Sequence, residues 1–208
     1  MRRAIDEITE LIDYADPDEL FIDDDTLLKN PTWVHDFCVQ YGQRVNRPFF
    51  CNARPESIKD DLARLLKRAG CKAIGIGIES GSERIRRDVL RRPMSDDVII
   101  RAFRSAHEAG LQTWSFNMVG LPGETEEDLQ QTISLNETVT TDFVRVSVFT
   151  PYPGTPIVSG IEAPISKPYI RQANDLPPGL ASLYRSWLCR LRREKRLWYT
   201  DAEDNVAC

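Results

Sequence analysis

Carboxylates, an arginine and two glycine- and proline-rich turns recur at regular places along this 208-residue chain. Asp23-Asp24-Asp25 follows the strand-like run Glu19–Ile22, Arg54 follows Phe49–Asn52, and Glu79-Ser80-Gly81 follows Ala73–Ile78. Gly120-Leu121-Pro122-Gly123-Glu124 follows Gln112–Val119, and Pro151-Tyr152-Pro153-Gly154-Thr155 follows Phe143–Phe149. Helix-patterned segments separate the runs, which predicts parallel strands whose carboxyl ends share one face. In α/β sheets and barrels that face carries the active site. Polar clusters converging there imply an enzyme's small-molecule site.

The elements that must position these clusters are legible from apolar spacing. Arg3–Ala15 places Ile5, Ile8, Leu11 and Ile12 on one helical face. Pro31–Tyr41 is a second helix, with Trp33, Phe37 and Tyr41 on one side and Pro31 in its first turn. Glu56–Ala69 is amphipathic and stopped by Gly70, and Ala73–Ile78 is a continuous apolar run suited to a strand covered on both faces. Ser82–Leu90 reads as a short helix, with Arg84, Arg86, Arg87 and Arg92 as solvated charges. Ser95 and Thr125 cap two longer helices, the second with Glu126, Glu127 and Asp128 at its positive end. Past Pro156 the strand–helix alternation dissolves into a proline-broken loop. Gly179–Leu197 then resumes as a helix with a basic run from Arg190 to Arg196, read as a solvated face.

Composition narrows the class. Hydrophobic content of 41% and charged content of 28% suit a soluble globular core. A net charge of −5 gives no electrostatic reason to expect nucleic acid as partner. No apolar stretch is long enough for a membrane span or a signal core, so the expected location is cytoplasmic. The five cysteines, at 38, 51, 71, 189 and 208, show no metal-binding spacing and read as buried or idle reduced thiols. No local metal site is therefore expected, and His35 and His107 read as ordinary helix residues. Gly75 and Gly77 lie inside an apolar run, which excludes the glycine turn of a dinucleotide site.

Taken together, the motifs resemble a known family. Phe21-Ile22-Asp23-Asp24-Asp25 resembles the second-strand motif of radical S-adenosylmethionine enzymes, and Ile76-Gly77-Ile78-Glu79-Ser80-Gly81-Ser82, led by Ala69-Gly70-Cys71, the fourth. Asn117–Thr125 looks like the fifth-strand motif and Phe149–Thr155 like the end of the sixth. The likeness spans about residues 4 to 157, nearest to the class often carrying an upstream cobalamin-binding domain. It implies an α/β fold, a partial (β/α)6 TIM-type barrel with S-adenosylmethionine across the strand ends. Residues 1–157 would be the core domain and 158–208 a carboxyl-terminal extension with one helix. By the same resemblance, Asp23, Asp24 and Asp25 face the methionyl amino group, an ammonium offering three donors. Glu79 and Ser80 lie near the ribose or methionyl part, and Arg91 forks onto the methionyl carboxylate, with Arg92 beside it as the other choice. Val119, Gly120 and Glu124 belong to the turn that holds adenine, largely through backbone. No catalytic residue is assigned.

The family's C-x-x-x-C-x-x-C, which holds a four-iron four-sulfur cluster, is not found in this sequence. The expectation is a barrel lacking its first strand and cluster loop. It would form the carboxyl-terminal portion of an enzyme that cleaves S-adenosylmethionine to a 5′-deoxyadenosyl radical, inactive alone. An amino-terminal half or partner subunit would complete it, and cobalamin is possible in the full-length protein. The alternative is a cluster-less barrel acting as a binding module or split subunit. A fragment, a misplaced start codon and a split gene all fit, and the substrate carries no signature.

Overall fold

The computed structural model describes residues 2–24, 26–151, 155–158 and 172–199. Strands and helices alternate as α1 (Arg2–Ala15), β1 (Leu20–Ile22), α2 (Pro31–Arg44), β2 (Phe49–Ala53), α3 (Asp60–Arg68), β3 (Cys71–Glu79) and α4 (Asp96–Glu108). There follow β4 (Gln112–Val119), α5 (Glu126–Thr138), β5 (Phe143–Val148), α6 (Pro178–Arg193) and β6 (Leu197–Tyr199). The strands hydrogen-bond in chain order, β1 to β6, and the pairs β1–β2, β2–β3 and β5–β6 are parallel. The chain divides into two compact units, residues 1–77 with 97–114 and residues 78–96 with 115–208.

In the first unit, aromatic residues one helical turn apart explain why α2 packs as it does. Asn30 caps the helix by accepting the Trp33 N–H at 3.1 Å, and Pro31 occupies the first position. Trp33, Phe37 and Tyr41 then form one stripe, with Tyr41 meeting Phe49 of β2 at 4.7 Å between ring centres. Phe37, Tyr41 and Phe49 are almost fully buried, each contributing about 1.5–3 kcal/mol. Helix α3 carries Asp60 and Asp61 in its first turn and Lys67 and Arg68 in its last, matching its dipole, and Gly70 ends it at φ 103°. From Ala73 to Ile78, β3 is buried throughout.

The second unit centres on Val144, Val146 and Val148 of β5, packed with Leu129 and Ile133 of α5 and with Leu180, Tyr184, Trp187 and Leu188 of α6. Helix α5 starts with the expected cap: Thr125 and Asp128 exchange side-chain and backbone bonds. Helix α6 ends four residues before the expected Leu197, and the chain turns into β6 instead. Leu197 and Tyr199 pair with Val144 and Arg145, so the segment after α6 extends the sheet. A three-residue strand beside a basic run leaves no periodic trace in sequence, which is why only a helix is legible there.

Cys38, Cys51 and Cys71 are buried and reduced, as expected. Cys189 is disulfide-bonded, a departure from the reading of five free thiols. No described helix is long and apolar enough to cross a membrane.

Candidate active site

The carboxyl end of β3 turns the chain through a left-handed residue. Glu79 sits at φ 66°, a left-handed conformation that costs a residue with a Cβ, and such strain clusters at functional sites. Its carboxylate lies 3.4 Å from Arg92, each side chain being about one-fifth exposed. Arg91 is left-handed too, at φ 55°, and its side chain is exposed. Of the two arginines, the one paired with Glu79 is Arg92.

Ser80 and Ser82 turn away from solvent onto α5. The Gly81 N–H donates to Thr132 Oγ1 at 2.8 Å, and the Ser80 hydroxyl lies 3.5 Å from the same oxygen. The Ser82 hydroxyl donates to Asp128 Oδ1 at 2.6 Å, while Asp128 Oδ2 accepts from Thr125 and Arg84. Burial works to raise the Asp128 carboxyl. Hydrogen bonds from Ser82, Thr125 and Arg84 outweigh it and hold it at about 2. A Cβ on Gly81 would stand 2.4 Å from the Gln131 carbonyl oxygen and the Thr132 Cα, so the turn approaches α5 as only glycine can. Ser80 is fully buried, and its side chain therefore serves the shape of this turn.

The same face of α5 continues as a buried polar seam. Asn136 donates to Asn117 Oδ1 of β4 at 2.8 Å and to the Thr132 carbonyl at 2.8 Å, and Ser115 donates to Asn136 at 2.5 Å. Residues 125, 128, 132 and 136 thus form one stripe that braces the Glu79–Ser82 turn. Sequence reasoning missed this role. The signal was available, because those polar residues recur at helical spacing on a helix whose other buried face is Leu129 and Ile133.

The solvated reading of the arginines is corrected for Arg86 and Arg92 and holds for Arg84 and Arg87. Arg86 is 1% exposed and donates to the Ser80 carbonyl at 2.8 Å, the Met94 carbonyl at 3.0 Å and Asp96 at 2.5 Å. Arg84 bonds Asp128 and the Gly123 carbonyl, and Arg92 faces Glu79. Arg84 stays exposed despite these bonds, as does Arg87, which pairs with the adjacent Asp88. Ile85–Val89 forms a wide turn, with Leu90 N–H bonding the Ile85 carbonyl five residues back, instead of the regular helix expected over Ser82–Leu90.

After β4, Val119 is buried and its carbonyl accepts the Phe149 N–H at 2.7 Å. Gly120 turns at φ 79°, and Glu124 Oε2 receives the N–H groups of Gly120 and Leu121. Burial pushes the Glu124 carboxyl up to about 7, while those two N–H bonds pull the other way. Its Oε1 is buried without a hydrogen-bond partner among the described residues.

In the first unit, Asp23 and Asp24 are exposed just past β1. Asp23 accepts from Asn52 at 3.3 Å, and Asp24 accepts the Thr26 N–H in a local turn. Asp25 and residues 152–154 of the last predicted cluster lie outside the described residues.

A cluster finds no fit among the described thiols. Burial drives Cys38 up to about 12, and Cys51 is raised well above the usual thiol range by its bond to Cys71 and by burial. Ligation needs thiolates, and these are protonated core residues. No group of three or more metal-binding side chains occurs among the described residues.

Residues 4–135 match the radical SAM superfamily. An "uncharacterized methyltransferase PH0819" of Pyrococcus horikoshii is 27% identical over 157 residues, covering 74% of this chain and 34% of that protein. A tRNA-2-methylthio-N(6)-dimethylallyladenosine synthase of Thermus thermophilus is 33% identical over 119 residues, covering 55% of this chain and 25% of that one. The chain therefore spans a quarter to a third of the length of these relatives. Among solved structures, the radical S-adenosylmethionine methyltransferase TsrM of Kitasatospora setae, with cobalamin and a four-iron four-sulfur cluster bound, superposes at a TM-score of 0.65 and 15% identity. That match covers 86% of this chain and 39% of TsrM. At that identity the likeness shows the fold, a partial barrel of the radical SAM type.

Proposed function

Since the chain belongs to the radical SAM superfamily, we propose that it forms the part of such an enzyme that binds and orients S-adenosylmethionine for reductive cleavage. The supporting observation is the pair of left-handed residues, Glu79 and Arg91, which present opposite charges beside Arg92 at the end of β3. An amino acid moiety carries one cation and one anion, so it asks for such a pair. Arg91 is exposed and takes the carboxylate, which a guanidinium fork matches. Glu79 accepts from the ribose or the ammonium. For adenine at the Val119–Leu121 turn the support is the sequence motif, since Glu124 already takes the Gly120 and Leu121 N–H groups and Phe149 the Val119 carbonyl. For Asp23 and Asp24 the support is the sequence motif alone.

The described residues do not fit an iron–sulfur cluster, so the reduced cluster that would supply the electron for cleaving the sulfonium bond would be held by ligands outside them. A companion segment with three thiolates is the simplest holder of such a cluster, and cobalamin would belong with that segment. The deciding experiment extends the reading frame upstream until a C-x-x-x-C-x-x-C motif is included, then assays 5′-deoxyadenosine after anaerobic reduction. Cleavage supports the reading. Binding without cleavage would favour a cluster-less binding module, and no binding would end the proposal.

A further inference from the structure

Arg86 is a full-length cation with 1% of its side chain exposed, and its exposed counter-ions, Asp96 at 2.5 Å and Glu83 at 3.8 Å, reach only the Nη2 end of the guanidinium. Burying an ion costs several kcal/mol unless its donors are matched. Here they are matched mainly by main chain. Nη1 donates to the Ser80 carbonyl, Nε to the Met94 carbonyl and Nη2 to Asp96. The Arg86 carbonyl in turn accepts the Arg92 N–H at 2.8 Å. One residue therefore ties down the peptide joining Ser80 to Gly81 and the peptide joining Arg91 to Arg92.

We propose that Arg86 is a positioning residue, clamping the Glu79–Ser80 turn to the Arg91–Asp96 segment so that the two charges meant for the methionyl group keep a fixed separation. The inference rests on the S-adenosylmethionine reading above and extends it to a residue with no cosubstrate contact of its own. Two features favour a clamp over plain core filling. An apolar side chain would fill the volume at lower cost, whereas the guanidinium addresses three acceptors on two separate stretches of chain. Both segments it holds contain a left-handed non-glycine residue, and such conformations persist only where the surroundings over-determine them. A lysine carries the charge but lacks the planar fork and its Nε donor, so it cannot satisfy the same three acceptors in place.

The test uses Arg86→Lys, Arg86→Met and the milder Asp96→Asn, with Arg87→Ala as control, in the chain extended upstream. Two ligands separate clamp from scaffold: S-adenosylmethionine, and 5′-methylthioadenosine, which has the adenosine but lacks the amino and carboxylate groups. Arg86→Lys is expected to weaken S-adenosylmethionine binding about tenfold and methylthioadenosine by less than about twofold. Amide exchange in residues 80–82 and 92–96 should quicken in all three variants and not in Arg87→Ala. The inference is overturned if Arg86→Lys or Asp96→Asn binds S-adenosylmethionine like the parent, or if both ligands weaken equally. Misfolding of both Arg86 variants leaves Asp96→Asn to decide. If the parent itself binds no S-adenosylmethionine, the underlying reading has failed and this one falls with it, an outcome distinct from a parent that binds and variants that match it.

Discussion

The Glu79 carboxylate stands 3.4 Å from the guanidinium of Arg92, although the exposed arginine beside it in sequence is Arg91. The left-handed turn at Arg91 separates the two in direction. One arginine is thus committed to the acid and the other is presented outward.

That division predicts distinct phenotypes in the upstream-extended enzyme. Arg91→Ala should lose about 10- to 150-fold in S-adenosylmethionine binding, the usual cost of a charge-assisted contact, with little change in stability. Glu79→Ala should lose binding to a similar extent and also destabilise the fold, because Arg92 keeps a part-buried charge without its acid. Arg87→Ala should behave as the parent. Rates of 5′-deoxyadenosine formation and melting curves for the three variants check this, and equal behaviour would remove the placement.

Gly81 gives a steric prediction. A methyl there meets backbone atoms at 2.4 Å, which cannot swing away as a side-chain tip would. Gly81→Ala should cost about 3 kcal/mol or more, a fall in Tm of roughly 6–12 °C. Gly42→Ala, inside α2 with nothing within 4 Å of the new carbon, should instead gain about 0.5–1 kcal/mol. Calorimetry on both variants separates close approach from a general intolerance of alanine.

Glu124 gives a pH dependence. Its folded carboxyl is raised from 4.5 to about 7, so the folded state holds this proton more tightly than the unfolded chain. The resulting stability is complete below pH 4.5 and is lost as pH rises through about 7. Glu124→Gln keeps an oxygen for the Gly120 and Leu121 N–H groups and carries no charge. Relative to the parent it should gain roughly 2–3 kcal/mol between pH 5 and pH 8.5. Denaturant midpoints at the two pH values measure it, and parallel curves would refute the assignment.

The iron content of the chain alone is the fourth expectation. Anaerobic reconstitution with iron and sulfide should leave no stoichiometric cluster, since Cys38, Cys51 and Cys71 are buried in the core and burial holds the first two protonated. About four irons per chain with cubane charge-transfer absorption would contradict it.

What was legible in the sequence follows from how local each signal is. Five strands, their order and the cap at Thr125 were readable, because apolar runs, stop glycines and capping residues act over a few positions. The direction of an arginine is not local. Arg86 and Arg87 are adjacent and identical in type, yet one is buried and one exposed, because successive helical positions face different sides and only Arg86 finds Ser80, Met94 and Asp96 on its own. Likewise Thr132 looks like an ordinary helix residue until the Gly81 amide is found on its hydroxyl, across a separation of 51 residues. β6 escaped notice because its three residues owe their extended form to the waiting edge of β5.

That late partner bears on how the chain is made. β5 ends at Val148 and β6 begins at Leu197, so the ribosome must deliver roughly 50 further residues before the outer edge of β5 can close, a delay of about 2.5–10 s at ordinary synthesis rates. Through that interval Phe143–Val148 is an open, β-branched edge of the kind that recruits other chains. Synthesis halted inside α6 would leave it open for good, so stalled chains should sediment with the aggregates while completed ones stay in solution.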